Sequence, residues 1–214
     1  HLSPDTISEW GIEEEYLRPI VRSLRECKSY IVDPTGLKYK ILVCKKEKPQ
    51  LSGTNVLEYI KWGEKQRFHE RPSCRGRARW YDFGEQKSSD FIMLRFRDLR
   101  NWTPIILDDS YIVGDTVFVG SFYSRRFKKI GGAILNSLFT SFISEIFGRV
   151  NLGDGLLTTY GPELSKFLLL KPELALPYEN ELTRAFDRLA SRDVLSVLDE
   201  INMRDHQELD NVVF

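Results

Sequence analysis

Residues 130–147, IGGAILNSLFTSFISEIF, carry the clearest periodic signal in the chain. Ile134, Leu135, Leu138, Phe139, Phe142, Ile143, Ile146 and Phe147 recur at i, i+3 and i+4, the spacing of a helix buried over a wide face. Gly148 supplies the stop. On this pattern one long helix spans 130–147, with Phe139, Phe142 and Phe147 in the core. Short segments rich in β-branched and aromatic residues precede it at 91–96, 103–107 and 116–123 and read as strands. A buried helix behind a run of strands, with more helix to follow, predicts an α+β fold with a mixed or antiparallel sheet.

Toward the N-terminus, residues 3–26 read as capped helical turns. Ser3 or Asp5 is the cap, and Ile12, Tyr16, Ile20 and Leu24 recur at a spacing of four. Pro19 predicts a break in that stripe. Residues 30–32 and 37–44 read as the arms of a hairpin around Asp33-Pro34-Thr35-Gly36, whose Pro and Gly suit a type I turn. A polar loop covers 45–53, and Thr54 or Asn55 caps a helix running toward Gly63.

Toward the C-terminus, residues 149–155 read as a tight loop and 156–160 as a strand. Pro162 opens a short helix, and 168–170 reads as a further strand. Pro172 and Pro177 mark a boundary, beyond which 178–190 and 194–203 are helical in pattern. The expected organisation is a domain over 1–172 followed by a helical appendage over 173–214.

The 214 residues hold 31 basic and 31 acidic side chains, so net charge alone announces no anionic partner. Its distribution is uneven. Residues 61–81, KWGEKQRFHERPSCRGRARWY, contain seven Lys or Arg against two Glu. Residues 173–214 contain ten acids against four Arg. A basic middle and an acidic end do not face the same anion. In the basic stretch Trp62, Phe68, Trp80 and Tyr81 alternate with the charges, a composition suited to a polyanion that pairs with guanidinium and stacks on rings. The plainer reading is a solvated basic loop with its aromatics, Trp80 and Tyr81 above all, anchored in the core. Arg75, Arg77 and Arg79 alternate and share one face if the segment is a strand. Arg125, Arg126, Lys128 and Lys129 form a second basic cluster before the long helix.

Cys27, Cys44 and Cys74 are odd in number and widely spaced, which predicts neither a disulfide framework nor a zinc motif and favours a reducing, cytoplasmic setting. His69 and Cys74 fall short of a structural metal site, and no metal is expected. No signal peptide or membrane-spanning apolar run is present in the sequence, so no membrane partner is expected.

Residues 134–170, ILNSLFTSFISEIFGRVNLGDGLLTTYGPELSKFLLL, resemble the C-terminal target-recognition region of N6-adenine DNA methyltransferases of restriction–modification systems, a family that includes fused methyltransferase–endonucleases. Three further stretches agree in order. SPDTISEWGIEEEYLRPIVRSLRECK (3–28) is similar to the family's entry into that region. RARWYDF (77–83) is similar to its Arg-x-x-Trp-Tyr element, and DRLASRDVLSVLDEINMRDHQELDNVVF (187–214) to its helical end.

The resemblance implies a specificity domain that reads double-stranded DNA for an N-terminal methyltransferase domain of the same polypeptide, which would use S-adenosylmethionine. The basic stretch is then expected to make the main DNA contacts through Arg67, Arg71, Arg75, Arg77 and Arg79, with Lys128 and Lys129 as outlying phosphate contacts. Arg75 and Arg77, flanking Gly76, are the expected base readers. The alternative is a stand-alone specificity subunit that recruits separate modification or restriction subunits.

The catalytic half is expected to be absent, and this chain alone is expected not to be catalytic. The family's Asn/Asp-Pro-Pro-Tyr/Phe element requires a Pro-Pro pair, which the sequence lacks. Gly153-Asp154-Gly155 follows a helix rather than a strand, with Thr158 where a third Gly belongs, and reads as a turn rather than a cofactor loop. Glu85-Gln86-Lys87 has the Glu-x-Lys spacing of metal-dependent nucleases but sits in a polar turn, with Asp82 too near to act as the upstream ligand. No catalytic, cofactor-binding or metal-binding residue is assigned.

Overall fold

The computed structural model describes residues 1–84, 88–94, 96–97, 99–108, 110–114, 117–150, 157–159 and 161–213. In chain order these form α1 (Pro4–Trp10), β1 (Leu17–Val21), β2 (Lys40–Leu42), α2 (Asn55–Lys65), β3 (Phe91–Met93), β4 (Phe96–Arg97), β5 (Ile112–Val113), β6 (Phe118–Gly120), α3 (Lys128–Leu135), α4 (Leu138–Phe147), β7 (Arg149–Val150), β8 (Leu157–Thr158), α5 (Gly161–Leu164), α6 (Glu179–Leu189), α7 (Val197–Glu200) and α8 (Arg204–Val213), with 3-10 turns between them. The fold is α+β, as the pattern of elements predicts. The expected turn at 153–155, the Glu85-Gln86-Lys87 spacing and the ends of the expected 156–160 strand lie outside the described residues. Two compact units form, both discontinuous in sequence. The first comprises residues 1–22, 34–87 and 110–114, and the second 23–33, 88–109 and 115–214. The expected boundary near residue 172 falls inside the second unit.

In the first unit, β1 lies between β2, antiparallel to it, and β5, parallel to it. Residues 17–21 are therefore strand, where a broken helix was expected. A spacing of four fits both periods, since it is close to one helical turn and also two steps along one face of a strand. Pro19 decides between them, because it cannot continue a helix yet fits the β register opposite Lys40.

Around 33–36 the expected turn forms as a 3-10 turn, but no hairpin follows. Lys40–Leu42 pair with β1, while Ile31 bridges to Ile105 in the other unit's own framework. At α1 the Ser3 hydroxyl accepts from the Thr6 N–H. At α2 the Thr54 hydroxyl accepts from the Leu57 N–H, and the Glu13 carboxylate accepts from the N–H groups of Asn55 and Val56 at 2.6 and 3.0 Å. A carboxylate at a helix N-terminus meets both free donors and the positive end of the dipole. Val56, Leu57 and Ile60 pack α2 onto Tyr16, Leu17 and Leu51.

In the second unit β3 pairs with β6, and β8 lies between β4 and β7. The long helix expected over 130–147 is two helices, α3 and α4, bent by 72°. The corner is built from side chains that compete for backbone groups. Asn136 donates to the Thr103 and Gly132 carbonyls and accepts from the Thr103 N–H, while the Ser137 hydroxyl accepts from the Thr140 N–H and caps α4. From α8, His206 Nε2 meets the Asn136 carbonyl and the Asp210 carboxylate accepts from the Leu138 N–H.

The bend changes which residues are buried. Ile130, Ile134 and Ile143 are in the core, but Phe139 is 38%, Phe142 60% and Ile146 55% exposed, so Phe139 and Phe142 are not the core residues the single-helix pattern implies. Gly132 lets α6 approach α3, since a Cβ there would meet Phe186 at 2.9 Å. Phe186, Leu182, Leu189 and Leu209 are fully buried.

An ionic network ties the helical end together. The Arg192 guanidinium donates to both oxygens of Glu200 and both of Asp205, at 2.6 to 3.0 Å, and Glu200 also accepts from the Leu195 N–H and contacts His206 Nδ1. Burial pushes the Glu200 carboxyl up, but the hydrogen bonds from Arg192, His206 and the Leu195 N–H outweigh it and hold the group well below its ordinary value. Among the described residues no single helix is long and apolar enough to cross a membrane.

Candidate nucleic-acid interface

The basic stretch begins inside α2 and leaves it at Lys65. The N–H groups of Gln66 and Arg67 close the helix onto the carbonyls of Trp62 and Glu64. Arg67 itself takes φ +60, the left-handed conformation that usually selects glycine just past a helix end. A 3-10 turn at Phe68–Glu70 follows, and then successive turns to Tyr81. Pro72 and Gly76 interrupt any ladder, so the strand that would align Arg75, Arg77 and Arg79 does not form.

A line of rings supports the turns. Trp62 meets Phe68 at 5.4 Å between centroids, Phe68 meets Trp80 at 6.3 Å, and Trp80 meets Tyr81 at 6.1 Å. Tyr81 is buried and donates to the Lys46 carbonyl, an anchor as the plainer reading of the sequence has it. Trp80 is half-buried. Its Nε1 donates to Glu64, and the same rim of the indole presses on α2 where a Cβ at Gly63 would come within 2.6 Å.

The seven cationic residues named from the sequence divide by partner. Arg79 donates to Asp82 at 2.6 and 3.2 Å and also pairs with Glu47; these contacts raise its pKa and lower that of Asp82. Arg67 pairs with Glu70, three residues on, which lowers the Glu70 pKa. Arg71 lies over the Phe68 ring at 4.1 Å. Among the described residues Arg77 donates to the Asp82 carbonyl and sits 5.4 Å from the Phe83 ring centroid. Arg71, Arg75 and Arg77 are exposed and meet no carboxylate among the described residues.

Lys128 and Lys129 belong to the other unit and are engaged there. Lys128 is 8% exposed and donates to the Ile106 carbonyl at 2.8 Å beside Asp90, and Lys129 pairs with Asp187. Arg126 of the same cluster pairs with Glu179.

A cleft of about 420 Å³ opens among these turns. Trp80, Ala78, Arg77, Arg75, Cys74 and His69 line it together with the acids Glu64 and Glu70. His69, which the sequence offers at most as a zinc ligand beside Cys74, lies next to Arg75 and Arg77 in the lining. Nothing in its spacing signals that contact, which the turns at 71–79 create. Lys48 at 2.5 Å and the Trp80 indole occupy Glu64, while Arg67 occupies Glu70. Both carboxylates are thus neutralised by groups other than Arg75 and Arg77.

The described residues of this stretch thus present an exposed arginine surface on a scaffold of turns. The chain matches the family described as Type II methyltransferase M.Eco57I, C-terminal domain, over residues 1–204. It belongs to that family. This domain therefore serves within a Type II methyltransferase. No curated protein matches the chain.

Proposed function

We propose that this domain supplies DNA sequence recognition for a site-specific, S-adenosylmethionine-dependent adenine-N6 methyltransferase of a restriction–modification system. A separate methyltransferase domain of the same polypeptide performs the transfer. The observation that carries this reading is the exposed trio Arg71, Arg75 and Arg77, held on turns packed against aromatic rings and meeting no carboxylate among the described residues. Guanidinium groups in that state pair with phosphate oxygens or with the O6/N7 edge of guanine. Arg67 is a weaker fifth contributor beside Arg79, because each already holds a carboxylate that DNA must displace. Lys128 and Lys129 are left out of the proposed contact surface, since Lys128 is buried and both are ion-paired.

The test is duplex binding by the full chain across a salt series. Affinity should fall steeply with salt, and S-adenosylmethionine alone should give no saturable heat. Salt-independent binding, or no binding, counts against the reading. Sequencing the methylated sites left in DNA by the full-length enzyme checks the adenine-N6 assignment directly.

A further inference from the structure

Leu168, Leu169 and Leu170 form neither helix nor strand. A strand is expected there from the sequence, yet their backbone N–H and C=O groups meet no partner among the described residues. Leu168 is 66% and Leu169 40% exposed. Lys171, next in the chain, is extended at φ −68 and ψ 126. An apolar run with unpaired backbone has the character of an open sheet edge, onto which another strand can add. Beside the run lies a pocket of about 250 Å³, which Leu169 and Leu170 line with Phe91, Phe122, Ile134 and Leu135. Its walls are fixed before any ligand arrives. Phe122 rests on α3 where a Cβ at Gly131 would come within 2.3 Å, lies 5.1 Å from Phe91 between ring centroids, and donates its N–H to Asp90 at 2.8 Å. The lining holds no charged side chain, and its hydroxyls are taken: Ser121 donates to the Ser88 carbonyl and Tyr123 to Glu173. A pocket below about 300 Å³, with no polar group to orient a substrate, fits an apolar side chain rather than a small-molecule ligand.

We propose that the leucine run and this pocket together dock an extended segment of the methyltransferase domain of the same polypeptide, which pairs its backbone with residues 168–170 and seats one large apolar side chain in the pocket. A peptide is the partner whose chemistry matches both halves of the surface, since it carries alternating donors and acceptors beside apolar side chains. The family is that of a methyltransferase's C-terminal domain, so the tethered neighbour meets this face at high effective concentration, ahead of any free protein. The occupant rests on the reading above that a methyltransferase domain shares the polypeptide; DNA contact does not enter it.

The test uses the full-length enzyme, with its methylation of DNA as proof that the catalytic domain is present. Photo-crosslinking benzoylphenylalanine in place of Leu168 should join to one apolar segment of the methyltransferase domain, identified by mass spectrometry. The same probe in place of Leu198, which is 71% exposed in α7, should not reach that segment. Amide hydrogen exchange at 168–170 should be at least about tenfold slower than in an unstructured peptide. Leu169→Asp, with folding checked by circular dichroism, should remove both the crosslink and the protection. A crosslink between two copies of the enzyme overturns the assigned occupant. Crosslinking without slow exchange overturns the backbone pairing, and a crosslink retained by Leu169→Asp overturns the pocket as the anchor. Fast exchange with no crosslink above the Leu198 level, in an enzyme that methylates DNA, overturns the dock and leaves the proposed function standing. A full-length polypeptide that methylates no DNA and gives no crosslink overturns both.

Discussion

The turns at 66–83 and the helical end at 179–213 are both rich in arginine, and they use it in opposite ways. Arg192 is surrounded: four hydrogen bonds bind it to Glu200 and Asp205, and Glu200 is 4% exposed. Arg75 is exposed and meets no carboxylate among the described residues. A count of charges sees the same residue twice. The difference lies in what the backbone brings near. In the helical end, successive turns of α7 and α8 stack acids against one guanidinium. In the turn segment, Arg67 and Arg79 take the nearby carboxylates of Glu70 and Asp82, and Arg75 is left without one among the described residues. Arginine inside a network fixes structure, and arginine outside one is available to a ligand.

Removing the network should produce the largest effect. Arg192→Ala leaves Glu200 buried without its main counter-charge, and breaking such a pair costs about 3–5 kcal/mol. For a chain of this size that is a fall of about 10 °C in Tm, measurable by calorimetry. Acid sharpens the contrast. The folded-state pKa of Glu200 lies below the unfolded value of about 4.3, so the folded state binds fewer protons. The stabilisation is therefore complete above about pH 5 and is lost as pH falls through the folded value. Glu200→Gln should flatten this part of a stability–pH profile. An unchanged profile breaks the comparison.

The exposed arginines should respond inversely. Replacing Arg71, Arg75 and Arg77 together with Ala should lower stability by no more than about 1 kcal/mol, the worth of the exposed Arg71 contact on the Phe68 ring, because no described ion pair is lost. DNA affinity should drop, and the slope of log K against log salt should fall by about one unit per phosphate-contacting arginine. A loss of stability with an unchanged salt slope means that the segment is structural.

A smaller contrast sits within α4. Ile143 is buried and Phe142, its neighbour, is 60% exposed. Ile143→Ala should cost about 2–4 kcal/mol and Phe142→Ser less than about 0.5. Comparable losses from both, read from denaturant midpoints, would mean that the exposed face of α4 is covered in solution.

The same pair shows what could be read before the structure. The apolar periodicity of 130–147 located the helical segment and its end at Gly148, because burial on one face is a local pattern. It could not show the 72° corner at Asn136 and Ser137, which is fixed by Thr103, His206 and Asp210 from distant parts of the chain. The caps at Ser3 and Thr54 were legible, being one-turn contacts. The pairing of β2 with β1 rather than with 30–32 was not, since register over twenty residues depends on the whole unit. At the candidate site the basic–aromatic composition was plain. The separation of Arg79, Lys128 and Lys129 from Arg71, Arg75 and Arg77 required knowing where Asp82, Glu47, Asp90 and Asp187 lie.

Arg67 tests the boundary between the two uses of arginine, and its effect on stability should be the smallest. It is the one non-glycine residue with positive φ among the described residues, at a helix end where glycine is usual. Three terms decide what Arg67→Gly does. Relief of the left-handed backbone favours the variant by about 1 kcal/mol. Greater freedom of the unfolded chain disfavours it by about 0.4–1 kcal/mol. Loss of the exposed pair with Glu70 disfavours it by a few tenths, up to about 0.5. These nearly cancel, so stability should change by less than about 0.5 kcal/mol. Arg67→Ala keeps the backbone cost and loses the pair, so it should be less stable than wild type by up to about 0.5 kcal/mol. The charge is lost in both variants alike. If Arg67 touches phosphate, both should lower the salt slope by about one unit despite their different stabilities. If affinity tracks stability instead, Arg67 belongs with Arg192, as a residue that holds the fold and meets no ligand.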